Sequence, residues 1–409
     1  MRDCDPKLEK EFFDIFADYF DLEKTPGLKY SSADFSLARV TPLADLADRP
    51  ERHLRILHVA GTKGKGSTCM LLTALLVSAG HRCGTFLSPH LATVRERFQI
   101  DNRLVSYATL LQHSREFEVR LRQRSLKPTL FELMTVLALR LFVAERCEFA
   151  VLETGIGGLL DATNYVPTPE CCIITPVSFD HMQLLGNTIA EIAEQKAGII
   201  KRGVPVVCSP QPFPEAEDVI RRRAAAVGAE FATPRSDLGE WQFPDLPPFQ
   251  VDNFRSVLRA CDLLGIRPRR DRFVLPELRA RCECIRRDPL VVIDAAHNAD
   301  SAQKLVAALR QLHPTTRFTV VLGVVKDKDV AGIFSALAPF AAQFILTHPS
   351  SPHKGSELEA LVRLAEPSGV PFTVVPQITS PAQLPAGRPL LFTGSFFTAL
   401  IGETLFGAS

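Results

Sequence analysis

The amino-acid sequence predicts an α/β protein in two parts: a mainly parallel sheet built around a phosphate-binding loop, then a smaller α/β domain. Three observations carry this expectation. Short apolar runs suited to buried strands alternate with helix-period segments along most of the chain, which implies right-handed crossovers and parallel pairing. One strand–loop–helix run is rich in glycine and carries lysine where an oxyanion could sit. At 409 residues the chain is also too long for a single core.

Taken in order, residues 8–20 have helical apolar spacing and are expected to pack on the main domain. A polar, proline-bearing stretch runs on to Pro50, with a short helix expected at 35–40. Residues 54–60 predict a buried strand, 61–68 a glycine-rich turn, and 69–79 a helix stopped by Gly80. In the turn, glycines let backbone N–H groups converge on an oxyanion, the helix N-terminus favours negative charge, and Lys65 supplies a mobile cation. The turn departs from the commonest nucleotide loop because Gly66 separates Lys65 from Ser67.

A second strand is expected at 83–87, followed by an irregular segment containing Ser88-Pro-His-Leu91 and Arg95-Glu-Arg97. Ser106 caps a charged helix, and Thr129-Leu-Phe-Glu132 is a capping box opening an apolar helix to about Glu145. Strand 149–154 ends in Gly155-Ile-Gly-Gly158 and Asp161-Ala-Thr-Asn164. Strand 171–177 leads to Asp180-His181, and a second capping box, Thr188-Ile-Ala-Glu191, starts the helix that carries Lys196. A further strand is expected at 204–208, irregular chain at 230–249, and a helix at 250–264 with Asn253 in its first turn. The basic, proline-broken stretch 267–287 places the domain junction near its end, giving domains 1–286 and 287–409. The second domain is expected to hold strands at 290–293, 318–322, 344–347, 372–375 and 390–393, with helices at 299–312 and 356–365. In such sheets ligands sit beyond the carboxyl ends of the strands, where the polar residues above cluster.

Composition narrows the function. A net charge of +1 gives no global field toward nucleic acid or a membrane surface, so any anion must be bound by local charge. No apolar run approaches the ~20 residues of a membrane span, and the N-terminus lacks a signal-peptide core. The ten cysteines are scattered, several in apolar runs, and only Cys282 and Cys284 have C-x-C spacing, with no second such pair following to make a zinc site. Buried thiols in a reduced, cytoplasmic protein are the expectation.

Gly61-Thr-Lys-Gly-Lys-Gly-Ser67, the Ser88 to Arg97 segment, and Glu153-Thr-Gly-Ile-Gly-Gly-Leu-Leu-Asp-Ala-Thr-Asn164 resemble the folylpolyglutamate synthase and dihydrofolate synthase family of the Mur ligase superfamily. Asp180-His181, Gln195-Lys-Ala-Gly-Ile199, Asp294-Ala-Ala-His-Asn298, Lys326-Asp-Lys-Asp329 and Gly394-Ser395 follow in the family's order. The resemblance implies a P-loop-type N-terminal ATPase domain and a Rossmann-like C-terminal glutamate-ligase domain. It implies ATP-dependent ligation of L-glutamate to dihydropteroate, to reduced folates, or to both, through an acyl phosphate. It further implies nucleotide contacts from Gly61, Thr62, Gly64, Lys65, Gly66, Ser67 and Thr68. Asn253 would face adenine, Arg281 the phosphates and Asp294 the ribose. Two magnesium ions would be held by Ser88, Glu153, His181 and a Lys196 carrying a CO2 adduct. Lys65, Lys196 and His297 would be the catalytic set, in a cytoplasmic monomer whose domains close around ATP.

The sequence departs from the family's pattern at Lys63 (usually Asn), Leu159 (Arg), Phe249 (His), Ala280 (Gly) and Ala295 (Gly). Two other readings therefore stay open: a Mur-type ligase for a different carboxylate, and a nucleotide-binding paralogue without ligase activity. Against a cell-wall Mur ligase, only about fifty residues precede the phosphate strand, too few for a further N-terminal domain.

Overall fold

The apolar run before the glycine-rich turn forms β1 (Arg55–Ala60), five of whose six residues are buried. It lies within an eight-stranded sheet with β2 (Cys83–Phe86), β3 (Phe98–Ile100), β4 (Arg103–Leu104), β5 (Phe149–Glu153), β6 (Cys171–Ile174), β7 (Val206–Cys208) and β8 (Phe231–Ala232). The order is β4-β3-β2-β5-β1-β6-β7-β8. From β2 to β8 every pairing is parallel, and β3 and β4 add an antiparallel edge.

The computed structural model describes residues 5–19, 37–90, 92–124, 126–244, 246–326, 328–350 and 355–407. Phe20 and Phe35, expected at helix ends, and Leu91 and Asp327 of the quoted motifs lie outside the described residues.

Both faces of this sheet are covered, which is why its strands read as continuous apolar runs. Side chains alternate between the faces with period two. Ile56, Ala150 and Leu152 join the core formed with Leu130–Ala144, whereas Leu57, Val59, Phe149 and Val151 pack under the helix Lys65–Ser78. Both expected capping boxes form, Thr129 with Glu132 and Thr188 with Glu191. The N-terminal helix Pro6–Ile15 buries Phe12 in the first core. Its Glu9 accepts hydrogen bonds from the Val94 backbone, Thr93 Oγ1 and Tyr107 OH at 2.7, 2.9 and 2.6 Å.

A second sheet contains β9 (Glu283–Arg287), β10 (Leu290–Ile293), β11 (Phe318–Leu322), β12 (Ala341–Leu346), β13 (Phe372–Val374) and β14 (Leu390–Thr393). Its order is β13-β12-β11-β14-β10-β9, parallel except for β9. The helices Ala299–Leu312, Val330–Leu337 and Leu358–Ala365 share one core with this sheet. The chain is therefore α/β throughout, with two mostly parallel sheets. The larger compact unit takes in the chain up to Pro244 and Gln250–Pro276; the smaller takes in the chain from Glu277 on, with a short segment ending at Phe249. β9 spans the 286/287 position and pairs with β10 in the smaller unit.

Several element limits differ from expectation for local reasons. The helix after the phosphate loop starts at Lys65 rather than at 69, because Gly64, at φ +83°, turns the chain into it. β6 stops at Ile174, and 175–178 becomes a site loop. The helix Leu37–Leu46 is longer than the one expected. Among the described residues no helix is long and apolar enough to cross a membrane.

Candidate active site

The helix beginning at Lys65 brings the loop residues into its own first turn. The first-turn amides of Lys65, Gly66 and Ser67 have no intrahelical acceptor, so they face the space beyond β1 as a cluster of donors with the positive end of the helix dipole. Thr62 does not face that space. Its hydroxyl and the Ser178 backbone exchange hydrogen bonds of 3.0 Å, which ties the loop to the segment after β6. Gly61, at φ +149°, has no room for a side chain, since a Cβ there would stand 1.8 Å from Thr175 Oγ1.

Glu153 ends β5, the neighbour of β1, and is buried. Its Oε1 is 3.9 Å from Lys65 Nζ, and its Oε2 accepts from the Ser88 backbone N–H at 3.0 Å. Gly66 backs onto the same carboxylate; a Cβ there would lie 3.3 Å from Glu153 Oε2. The hydroxyls of Thr68 and Ser88 are buried without a hydrogen-bond partner. A carboxylate and two orphaned hydroxyls beside a phosphate cradle suit a hard cation that completes its shell with phosphate oxygens and water. Among the described residues no three His, Cys, Asp or Glu side chains form a ready-made metal cage. His181 sits past the end of β6 in the left-handed region at φ +50°, half-exposed, with Nε2 3.9 Å from Asp180 Oδ2.

Lys196 is buried in the last turn of the helix Ile189–Ala197, and its Nζ donates to the Gly61 carbonyl at 3.0 Å. Burial, then the nearby Lys65 ammonium, pushes its amine down to about 7, against the opposing pull of Asp180 and Asp161. Asn253 lies against the loop: a Cβ on Gly64 would be 3.0 Å from its Oδ1. Its Nδ2 donates to Gln250 Oε1 at 3.0 Å, and Gln250 Nε2 donates to Ser67 Oγ at 3.1 Å.

The larger unit thus gathers Gly61, Thr62, Gly64, Lys65, Gly66, Ser67, Thr68, Ser88, Glu153, His181, Lys196 and Asn253 at the carboxyl ends of β1, β2, β5 and β6 and the facing helix. The remaining three candidates belong to the smaller unit. Arg281 lays its guanidinium over the Phe396 ring at 4.7 Å, and His297 stacks on the same ring at 6.4 Å. Asp294, following β10, is buried; its carboxylate accepts from the backbone N–H of Cys282 and of Ala296, both at 2.7 Å. Ala280 is held at φ +50°, and Phe249 packs on the smaller unit's core.

Residues 59–207 match the Mur ligase middle domain and 280–394 the Mur ligase glutamate ligase domain. Dihydrofolate synthetase of Saccharomyces cerevisiae is 31% identical over 347 residues, covering 77% of this chain and 81% of that protein. The dihydrofolate synthase/folylpolyglutamate synthase of Mycobacterium tuberculosis is 31% identical over 442 residues, covering 91% of this chain and 90% of its own. The chain belongs to the folylpolyglutamate synthase and dihydrofolate synthase family of the Mur ligase superfamily. A bifunctional folylpolyglutamate synthase/dihydrofolate synthase from Yersinia pestis, solved with AMPPNP and Mn ion, is 26% identical, covers 97% of both chains and superposes with a TM-score of 0.80.

Sequence reasoning gave no role to several residues that shape the site of this family member. Gln250 was readable as lying three residues before Asn253 on one helix face. Thr175 carries no pattern of its own, and Asp180 stood in a quoted motif without a role. Asp161 and Thr163 stood in a quoted motif, but only the fold reveals that His58 of β1 meets them.

Proposed function

We propose that this chain ligates L-glutamate to a folate-type carboxylate, dihydropteroate or a reduced folate, with ATP as phosphoryl donor. One observation carries the reading: a helix-N-terminal phosphate cradle shares its space with Lys65, the Glu153 carboxylate 3.9 Å away, and two buried hydroxyls without partners. Membership of the family and the match to a glutamate ligase domain support it.

In this reading a carboxylate oxygen of the acceptor attacks the γ-phosphorus, the bond to the ADP oxygen breaks, and an acyl phosphate forms. The glutamate amine then attacks the acyl carbon, phosphate departs with the former carboxylate oxygen, and the nitrogen releases a proton. Lys65 and the amides of Gly64, Gly66 and Ser67 bind the β- and γ-phosphates and offset the charge that develops on them. Gly61 and Thr62 fix the loop, Asn253 takes adenine, and Arg281, Asp294 and His297 contact the nucleotide. Glu153, Ser88, Thr68 and His181 would hold divalent metal, two magnesium ions in all, which supplies positive charge to the phosphates. Buried Lys196, neutral in a large fraction near pH 7, suits attack on CO2: an N–C bond would form as one C=O pair moves onto oxygen, the nitrogen would lose a proton, and the carbamate would offer an anionic oxygen to the metal. The enzyme acts as a cytoplasmic monomer, a compartment suited to the free thiols at nine described cysteines.

A second reading, a ligase for another carboxylate, rests on Leu159, whose exposed side chain stands where the family pattern has arginine. ATP- and magnesium-dependent incorporation of labelled glutamate, with dihydropteroate and tetrahydrofolate as separate acceptors, distinguishes the two. Incorporation with either acceptor supports the folate assignment, and none with both refutes it.

A further inference from the structure

We propose that His58 is a positioning residue for this site, acting through Thr163 and Asp161 on the turn at 155–158 that follows Glu153. His58 lies in the middle of β1, in register with Leu152 of β5 and Cys172 of β6, and is completely buried. Its Nε2 is 2.8 Å from Thr163 Oγ1, which is 2.5 Å from Asp161 Oδ1. Asp161 in turn accepts from the Thr163 N–H at 3.0 Å on Oδ1 and from the Ile156 N–H at 2.9 Å on Oδ2.

The direction of this chain follows from proton counting. Burial raises the Asp161 carboxyl from its ordinary value, while the Thr163 hydroxyl and the amides of Ile156, Thr163 and Gly155 pull it back down; as a carboxylate it only accepts, and a threonine hydroxyl has one hydrogen to give. Thr163 gives that hydrogen to Asp161 and so must accept on its other side, which puts the ring hydrogen of His58 on Nε2. Burial, with Lys201 adding to it, pushes His58 down to about 3, so the ring is neutral and has no second hydrogen. Its Nδ1 is buried without a hydrogen-bond partner. A bare buried nitrogen is unfavourable, and an aliphatic side chain would avoid it. What histidine contributes here is the Nε2–H.

The donor matters because of what Asp161 holds. The turn is fixed at Ile156 by Asp161 and at Leu159 by the helix carrying Lys196, whose Gln195 carbonyl accepts from the Leu159 N–H at 2.7 Å. Gly158 is pressed on the same helix, with room for no Cβ: one would stand 2.7 Å from the Gln195 oxygen and 3.0 Å from that of Lys196. Releasing Asp161 therefore loosens the connection between Glu153 and the Lys196 helix, although His58 touches neither.

The kinetic arm of the test rests on the ligase reading, and an amide-exchange arm does not. The variants are His58→Leu, which removes the donor, His58→Gln, whose amide can return an N–H to the Nε2 position, and Thr163→Val. His58→Leu and Thr163→Val are expected to lower kcat by about ten- to a hundredfold, the usual cost of losing a ligand's supporting partner. The KM for ATP should stay within about twofold, because the phosphate loop is untouched. His58→Gln should recover most of the rate, and the double variant should be no worse than either single one, since all act along one chain. The Ile156 amide should exchange faster in His58→Leu and Thr163→Val but not in His58→Gln. If His58→Leu does not fold, Thr163→Val and His58→Gln carry both arms. Wild-type kcat and Ile156 protection in a folded Thr163→Val protein, or a glutamine variant no better than leucine, would overturn the proposal. A wild-type protein inactive on every folate acceptor refutes the folate-ligase reading and leaves Ile156 exchange to decide this one.

Discussion

Replacing Lys196 by methionine should change how stability depends on pH. The two side chains are similar in length, but only lysine titrates. In the folded protein the amine is pushed down from its usual 10.5 to about 7, first by burial and second by Lys65. Between these two values the unfolded chain holds a proton that the folded chain has released, so the lysine contribution makes wild-type stability rise with pH across that window. At lower pH both states are protonated, and the folded state carries the full cost of a buried ammonium. From about pH 7 to about pH 9 the wild type should gain roughly 2 kcal/mol relative to Lys196→Met. The assay is denaturant unfolding of both proteins at several pH values in CO2-free buffer, with nucleotide and metal absent. The methionine variant should be the more stable near pH 6, with its advantage shrinking steadily as pH rises. A stability difference that stays flat with pH would refute the reasoning, since it would mean that the amine keeps its ordinary affinity for protons. Adding bicarbonate should stabilise the wild type and leave the variant unchanged, because a carbamate formed only in the folded state shifts the equilibrium by mass action.

The other predictions concern the loop and the smaller unit. Lys65→Ala should lower turnover by about 10^2–10^3-fold with an unchanged circular dichroism spectrum, the usual effect of removing one preorganised cation or donor; steady-state kinetics checks this. Gly61→Ala should destabilise by about 1–3 kcal/mol through overpacking against Thr175, measured as a lower denaturation midpoint. Ala280→Gly should stabilise by up to about 1 kcal/mol, because relief of the left-handed backbone at φ +50° exceeds the entropy cost of glycine.

Much of the fold was legible because burial on both faces writes strands as unbroken apolar runs, as in 149–153 and 171–174, and because capping boxes at Thr129 and Thr188 mark helix starts chemically. What escaped the reading had a different composition. β9 (Glu283–Arg287) is a charged antiparallel edge strand with little buried surface. The first turn of the phosphate-loop helix is made of Lys, Gly, Ser and Thr, so it reads as loop, yet that turn supplies the free amides.

The candidate site divides in the same way. Lys65, Glu153 and Lys196 stood out because lysine and glutamate are conspicuous at strand and helix ends, and the structure gives each a contact that explains its place. The bond from Gln250 to Ser67, 183 residues away, and that from His58 to Thr163, 105 residues away, were silent because the partners are remote in sequence. Only the fold brings such pairs together. The departures at Leu159, Ala280 and Ala295 lie outside the cluster of Lys65, Glu153, Thr68 and Ser88.

The central claim is that the acceptor carboxylate is itself phosphorylated before glutamate attacks it. Its most direct test uses an acceptor labelled with oxygen-18 in the reacting carboxylate, turned over with ATP, magnesium and glutamate. Mass spectrometry of the released phosphate should find one labelled oxygen for each amide formed. Amide formation with unlabelled phosphate would contradict the account, because the bond would then have formed without an acyl phosphate.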